Sequence, residues 1–313
     1  MVARFEALTV PKPGEDYRTP SKQRQIGLLL AFVGVVLAAV TLIANIAAAG
    51  DVGDGTSTRE TLAWSFGLTT TAFGTVKLGI AVILVGILVR LWFRAKAVQE
   101  TLPHLKAQGD GSAGPTGTID TGWGKARATN SVPDPLPIHK MAKTMWFPML
   151  AMGFMALIAG LVVSLVAAGQ SNTGSFNSAF AWAQGTQFLG EAMLLGGISF
   201  LLGSILAALR AGGGLVQESL GITVKTLKMP ATAKAFVGLM ALGVMLGVTQ
   251  FVLYGYVAVN ASNNPGAWFA WLGPLRELSL GLILAGIVLA LYTIGTALSF
   301  QFGRIKEIVA TGR

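Results

Sequence analysis

The chain has 313 residues, 53% of them hydrophobic and 12% charged, with a mean hydropathy of +0.64 and a formal net charge of +9. This composition lies outside the soluble globular range, and the lack of any cysteine excludes disulfides, iron–sulfur clusters, thiolate metal sites and cysteine nucleophiles. No aromatic-interleaved basic patch or nucleic-acid module is visible, so the expected partner is the lipid bilayer and not nucleic acid.

Crossing the roughly 30 Å hydrocarbon layer takes about 20 apolar residues in a helix, and six stretches qualify: 26–49, 71–92, 145–168, 188–209, 235–259 and 278–300. Runs this long and continuous are helices and not the short alternating strands of a membrane barrel. The expected fold is therefore an all-α integral membrane protein with six transmembrane helices.

In chain order, residues 1–25 form a polar arm with Pro11, Pro13 and Pro20 among mixed charges. The first hairpin, 26–95, has a Gly-, Asp- and Thr-rich outer loop over 50–60 and ends at Arg90, Trp92 and Arg94, an aromatic and basic interface anchor. Residues 96–143 connect it to the second hairpin. Their middle, 109–135, is dominated by Gly, Ser, Thr, Asp and Pro and has no core of its own to offset the entropy of ordering; it is either a flexible linker or ordered by a partner. The second hairpin, 144–229, carries an uncharged outer loop over 169–187, and Gly212, Gly213 and Gly214 read as a hinge at the inner end of its second helix. The third hairpin and a short tail, 230–313, open at Pro230.

The three hairpins look like one unit written three times. Trp64, Trp182 and Trp271 are each followed 36 residues later by a glutamate, Glu100, Glu218 and Glu307. Gly79, Gly197 and Gly286 fall fifteen residues after each tryptophan, and Gly34, Gly153 and Gly243 align more loosely in the first helices. These glycines, with Gly247 four residues after Gly243, are expected to pack helices closely, while Trp64, Trp92, Trp182 and Trp271 are expected at the membrane interfaces.

Lys and Arg number 5, 8, 4 and 3 in the N-terminal arm, 90–143, 210–234 and the tail, against only Arg59 and Arg276 on the other side. Positive charge marks the cytoplasmic side, so both termini are expected inside, in a bacterial cytoplasmic membrane.

Lys77 is the one charge well inside a span, about 20 Å from the inner edge when counted out from Arg90 at 1.5 Å per residue. In the repeat frame Glu191 lies four residues, about one turn, nearer the outside, so Lys77 and Glu191 form a candidate intramembrane polar pair if the second and fourth helices adjoin. Other polar residues, including Thr69, Thr70, Thr71, Thr75, Gln184, Gln187, Arg276 and Glu277, also crowd the outer halves of the even-numbered helices. Gln250 and Tyr254, on one face of the fifth helix, are expected to hydrogen-bond between helices. His104 and His139 both fall between hairpins, so no transmembrane histidine pair can ligate haem, and a metal site with Asp134 lacks a ligand-spacing motif. No cofactor or catalytic residue is nominated, because no phosphate loop, nucleophile elbow or zinc-protease motif occurs.

The odd-numbered spans end in Ala47-Ala48-Ala49-Gly50-Asp51, Ala167-Ala168-Gly169-Gln170 and Val259-Asn260-Ala261-Ser262. With three hairpins and both termini on one side, the outline resembles the mitochondrial carrier family. That family marks these ends with a proline, an acidic and then a basic residue; the ends here carry no such motif, so only the outline is shared. The expected function is a non-catalytic structural or accessory subunit of a larger membrane complex, such as an oxidoreductase or monooxygenase assembly with other membrane subunits. The alternative is a small-molecule or ion carrier.

Overall fold

The computed structural model describes residues 22–50, 55–105, 117–121, 124–262 and 265–311. The arm over 1–21 and the tips of the first outer loop and of the connecting segment, 51–54 and 106–116, lie outside the described residues. Six helices are long and apolar enough to cross a membrane: α1 Lys22–Gly50, α2 Gly55–Leu105, α3 Pro137–Ala168, α4 Thr173–Ser219, α5 Ala231–Asn260 and α6 Gly266–Thr311.

The even-numbered helices run well past the apolar stretches that mark them in the sequence. With 51, 47 and 46 residues they reach about 70 Å or more at 1.5 Å per residue, over twice the hydrocarbon thickness. Hydropathy locates where a helix meets lipid, whereas caps and breakers locate where it stops. The expected outer loop over 169–187 is thus mostly helix: Asn172 caps α4, its side chain accepting from the Gly174 and Ser175 amides at 2.8 and 3.2 Å.

The C-terminal end of α4 likewise corrects the hinge expected at Gly212 to Gly214, which stay helical. Gly214 is buried, and a methyl group there would lie 3.1 Å from Val132. The chain turns at Gly221, whose φ of +72° favours glycine. The Gly221 and Ile222 amides donate to the Glu218 and Gln217 carbonyls at 3.0 and 3.2 Å, the two bonds of a Schellman cap.

The all-α expectation needs a correction here too. The chain is mostly helical, but residues of the connecting segment form β1 Gly117–Thr121 and β2 Gly124–Thr129, and β3 Val224–Leu227 follows the α4 cap. They make an antiparallel sheet in the order β1-β2-β3, with Ala126 opposite Leu227 and Thr129 opposite Val224. Within the connecting segment β1 thus pairs with β2, and β2 pairs with a strand from beyond α4 of the same chain. Ala126 and Ala128 are buried and alternate with exposed Lys125 and Arg127, the period of a strand with one covered face.

Gln217 holds this sheet to α4. Its side chain donates to the Lys225 carbonyl at 3.2 Å and accepts from the Lys225 amide at 2.9 Å, supplying β3 with the pair of bonds another strand would offer. Arg304 of α6, also buried, donates from Nε to the same Gln217 oxygen at 2.9 Å and from Nη2 to the Thr223 carbonyl at 3.2 Å.

The helices pack as antiparallel pairs, α1 on α2, α3 on α4 and α5 on α6. Glycines set the approach. A methyl group on Gly34, Gly153 or Gly243 would lie 2.6, 2.9 or 2.9 Å from the carbonyl oxygen of Ala72, Gly190 or Ser279, so each pair meets backbone to backbone. Gly79 and Gly27 face each other in the same way, Gly197 faces Leu150 and Gly286 faces Phe236. Gly243 and Gly247 serve two neighbours, the first against α6 and the second against Ala192 of α4. Helix α4 is the hub: 67% of its apolar window is buried, against 17–33% in the other spans, and it touches α2, α3, α5, α6 and β3.

Candidate intramembrane charge cluster

Because α4 is surrounded, a polar side chain on it is enclosed by protein. Glu191 is only 3% exposed, and an ionised carboxylate there needs partners. The structure brings Lys77 of α2 to it, Nζ donating to Oε1 at 2.6 Å. It also brings Arg276 of α6, Nη2 donating to Oε2 at 2.9 Å. One carboxylate from the central helix thus joins two flanking helices, each oxygen taking one cation.

Arg276 is fixed further. Its guanidinium lies 4.0 Å from the ring centre of Phe188, almost one turn before Glu191 on α4. Its Nε sits 3.9 Å from Glu277 Oε1, too far to hydrogen-bond, and is buried without a hydrogen-bond partner among the described residues. Phe188 also packs edge-on against Phe66 and Tyr254, extending an aromatic layer across α2, α4 and α5. Lys77 and Arg276 share the Glu191 carboxylate, the exposed Glu277 carboxylate stands beside Arg276, and the Lys77 and Arg276 side chains are 20% and 23% exposed.

The Lys77 and Glu191 juxtaposition follows the one-turn offset in the sequence, but Arg276 was not assigned to it. The signal lies in the sequence: counted from the tryptophans, Lys77 stands four residues C-terminal of the Glu191 position and Arg276 four residues N-terminal. Long side chains one turn away on either side can converge on a central carboxylate.

Most of the surrounding polar groups bond within a helix or from one helix to the next. Thr70, Thr71 and Thr75 donate to carbonyls four residues back, at 3.0, 2.9 and 2.9 Å. Thr69 donates to Thr41 at 3.0 Å, joining α2 to α1, and Gln187 donates to the Gly67 carbonyl at 3.1 Å, joining α4 to α2. Gln250 donates to the Leu272 carbonyl of α6 at 2.9 Å, whereas buried Tyr254 packs its ring against Phe188 and Phe269.

Trp182 and Trp271 are exposed, Trp64 is half-buried, and the Trp92 side chain lies outside the described residues. His139 is half-buried beside a cavity at the sheet end of the bundle, and the His104 side chain also lies outside the described residues. Comparison with protein-family models, with curated proteins and with solved structures finds no match.

Proposed function

We propose that the protein is a non-catalytic structural or accessory subunit of a larger assembly in a bacterial cytoplasmic membrane, built from three copies of one helical hairpin with both termini inside. The observation that carries this reading is how the charge cluster is used: Glu191 spends both oxygens on helix-joining cations, and Thr70, Thr71, Thr75 and the Gln187 amide donate to backbone. Polar chemistry used in this way fixes helices to one another. The triple hairpin is supported by the shared register of Gly34, Gly153 and Gly243, whose added methyls would meet Ala72, Gly190 and Ser279, each eight residues after its tryptophan. Basic residues around the sheet end, among them Lys125, Arg127, Arg210, Lys225 and Lys228, support placing that end in the cytoplasm.

The experiment is the native mass of the protein taken from its own membranes in mild detergent, with mass spectrometry of what co-migrates. A discrete complex with stoichiometric membrane partners, such as oxidoreductase or monooxygenase subunits, is the expected result. A lone monomer or homo-oligomer overturns it.

A carrier is the second reading, favoured by two partly exposed cations, Lys77 and Arg276, that share one buried carboxylate. It predicts that Lys77→Leu abolishes uptake in a reconstituted transport assay, whereas in a structural subunit Lys77→Leu leaves assembly intact.

A further inference from the structure

At the sheet end of the bundle, α3, α4, α5, α6 and β3 enclose a cavity of about 490 Å³, within the range of about 300–1,000 Å³ typical of small-molecule sites. One part is apolar, with Phe200, Leu206, Phe236 and Met240 on its wall. The other is basic, bordered by Arg210, Lys225, Lys228 and Arg304, with no Asp or Glu among the described residues that line it. Two lining residues on α6, Leu298 and Ile305, are 37% and 54% exposed, so the cavity communicates with the outer face of the bundle.

Two polar atoms on lining residues are buried without a hydrogen-bond partner among the described residues: Arg210 Nε and the Thr226 hydroxyl. Thr226 is only 3% exposed, so bulk water does not serve it. Buried donors left unmet are costly, and both can donate to an acceptor that carries negative charge. Arg304, by contrast, is already engaged with Gln217 and Thr223.

We propose that this cavity holds an anionic phospholipid, one acyl chain against the Phe200 and Phe236 wall and the headgroup phosphate accepting from Arg210 and Thr226. An apolar pocket with a basic mouth between helix ends is the arrangement that recognises acidic lipid headgroups. A free phosphate would leave the apolar wall uncovered, and a zwitterionic lipid would bring a second positive group into a site lined by four.

The test is native mass spectrometry of the full-length protein in detergent, titrated separately with dioleoylphosphatidylglycerol, dioleoylphosphatidylcholine and inorganic phosphate. Phosphatidylglycerol should be retained at least about tenfold more tightly than phosphatidylcholine: both carry the phosphate, but the choline cation meets a site bordered by four basic residues, each worth about fivefold toward a charged headgroup. Arg210→Gln should weaken retention of both lipids, by loss of a bond to the phosphate they share, and should narrow the gap between them, by loss of one of the four cations. Thr226→Val, which removes an unsatisfied hydroxyl, should fold at least as well as the parent yet retain less phosphatidylglycerol. Ala297→Phe, which fills the cavity wall, should lose both lipids.

Equal retention of the two lipids by the parent protein overturns the proposal. So does retention of phosphate alone, no retention of lipid at all, or unchanged retention of phosphatidylglycerol in both Arg210→Gln and Thr226→Val. Should Arg210→Gln fail to fold, the parent comparison and Thr226→Val decide it.

Discussion

Arg276 and Glu191 stand 85 residues apart in the chain, yet Arg276 Nη2 donates to Glu191 Oε2 at 2.9 Å, on the carboxylate whose other oxygen holds Lys77. The carboxylate is therefore the shared element, and its loss strands two cations at once. Glu191→Gln is expected to destabilise the bundle by about 3–5 kcal/mol, the range for breaking a buried pair on one side. Lys77→Leu leaves the Arg276 bond in place and removes a cation that is costly to hold in the membrane, so it should cost less than half as much. Reversible unfolding in detergent or bicelles measures both, and equal losses would refute a bridging role for Glu191.

The glycines separate into two classes. Gly153→Ala places a methyl 2.8 Å from the Leu194 amide and 2.9 Å from the Gly190 carbonyl, where only backbone movement relieves it; about 1–3 kcal/mol should be lost. Gly281→Ala meets nothing within 4 Å, and the better helix former should leave stability unchanged or raise it by up to about 1 kcal/mol. Thermal unfolding midpoints of the two variants should move in opposite directions or differ clearly in size.

Gln217→Ala removes both bonds to Lys225 and the acceptor for Arg304 Nε. Hydrogen exchange should show β2 and β3 losing protection while α3 and the outer half of α4 keep theirs. Loss of protection through the whole of α4 would mean that the sheet and the bundle unfold as one unit.

Gly221→Val forces a branched side chain into a left-handed backbone position, at a cost of about 1–2 kcal/mol. The same β3 amides should be the first to exchange, because the cap sets where the chain leaves α4.

Because the chain has no cysteine, single cysteines report topology cleanly. Ser171→Cys and Ser131→Cys lie at opposite ends of α3 on exposed positions. An impermeant maleimide applied to intact cells should label the first, and the second only after permeabilisation. The reverse pattern would invert the proposed orientation.

Much of the membrane architecture is legible in the string of residues. Apolar runs of 20 or more leave helices as the only way to satisfy the backbone in lipid, and all six such runs become helices. The one-turn offset of Lys77 and Glu191 was readable because an ionisable group inside a span has few ways to be satisfied. The small sheet was not readable. β1, β2 and β3 are 5, 6 and 4 residues long, β3 lies about 100 residues beyond its partner, and Gly-, Thr- and Lys-rich segments carry little strand signal of their own.

The six spans and their glycine spacing follow from sequence alone because lipid acts on each segment separately: a segment is apolar and long enough or it is not. Which helix is central, which cation reaches Glu191 besides Lys77, and which strand pairs with residues 124–129 were decided only in three dimensions. Those outcomes depend on which of several similar apolar faces meet, and lipid tails do not discriminate among such faces. The choice rests on close contacts and single hydrogen bonds, such as Gln217 to Lys225 and Arg276 to Glu191, that exist only once the helices have assembled.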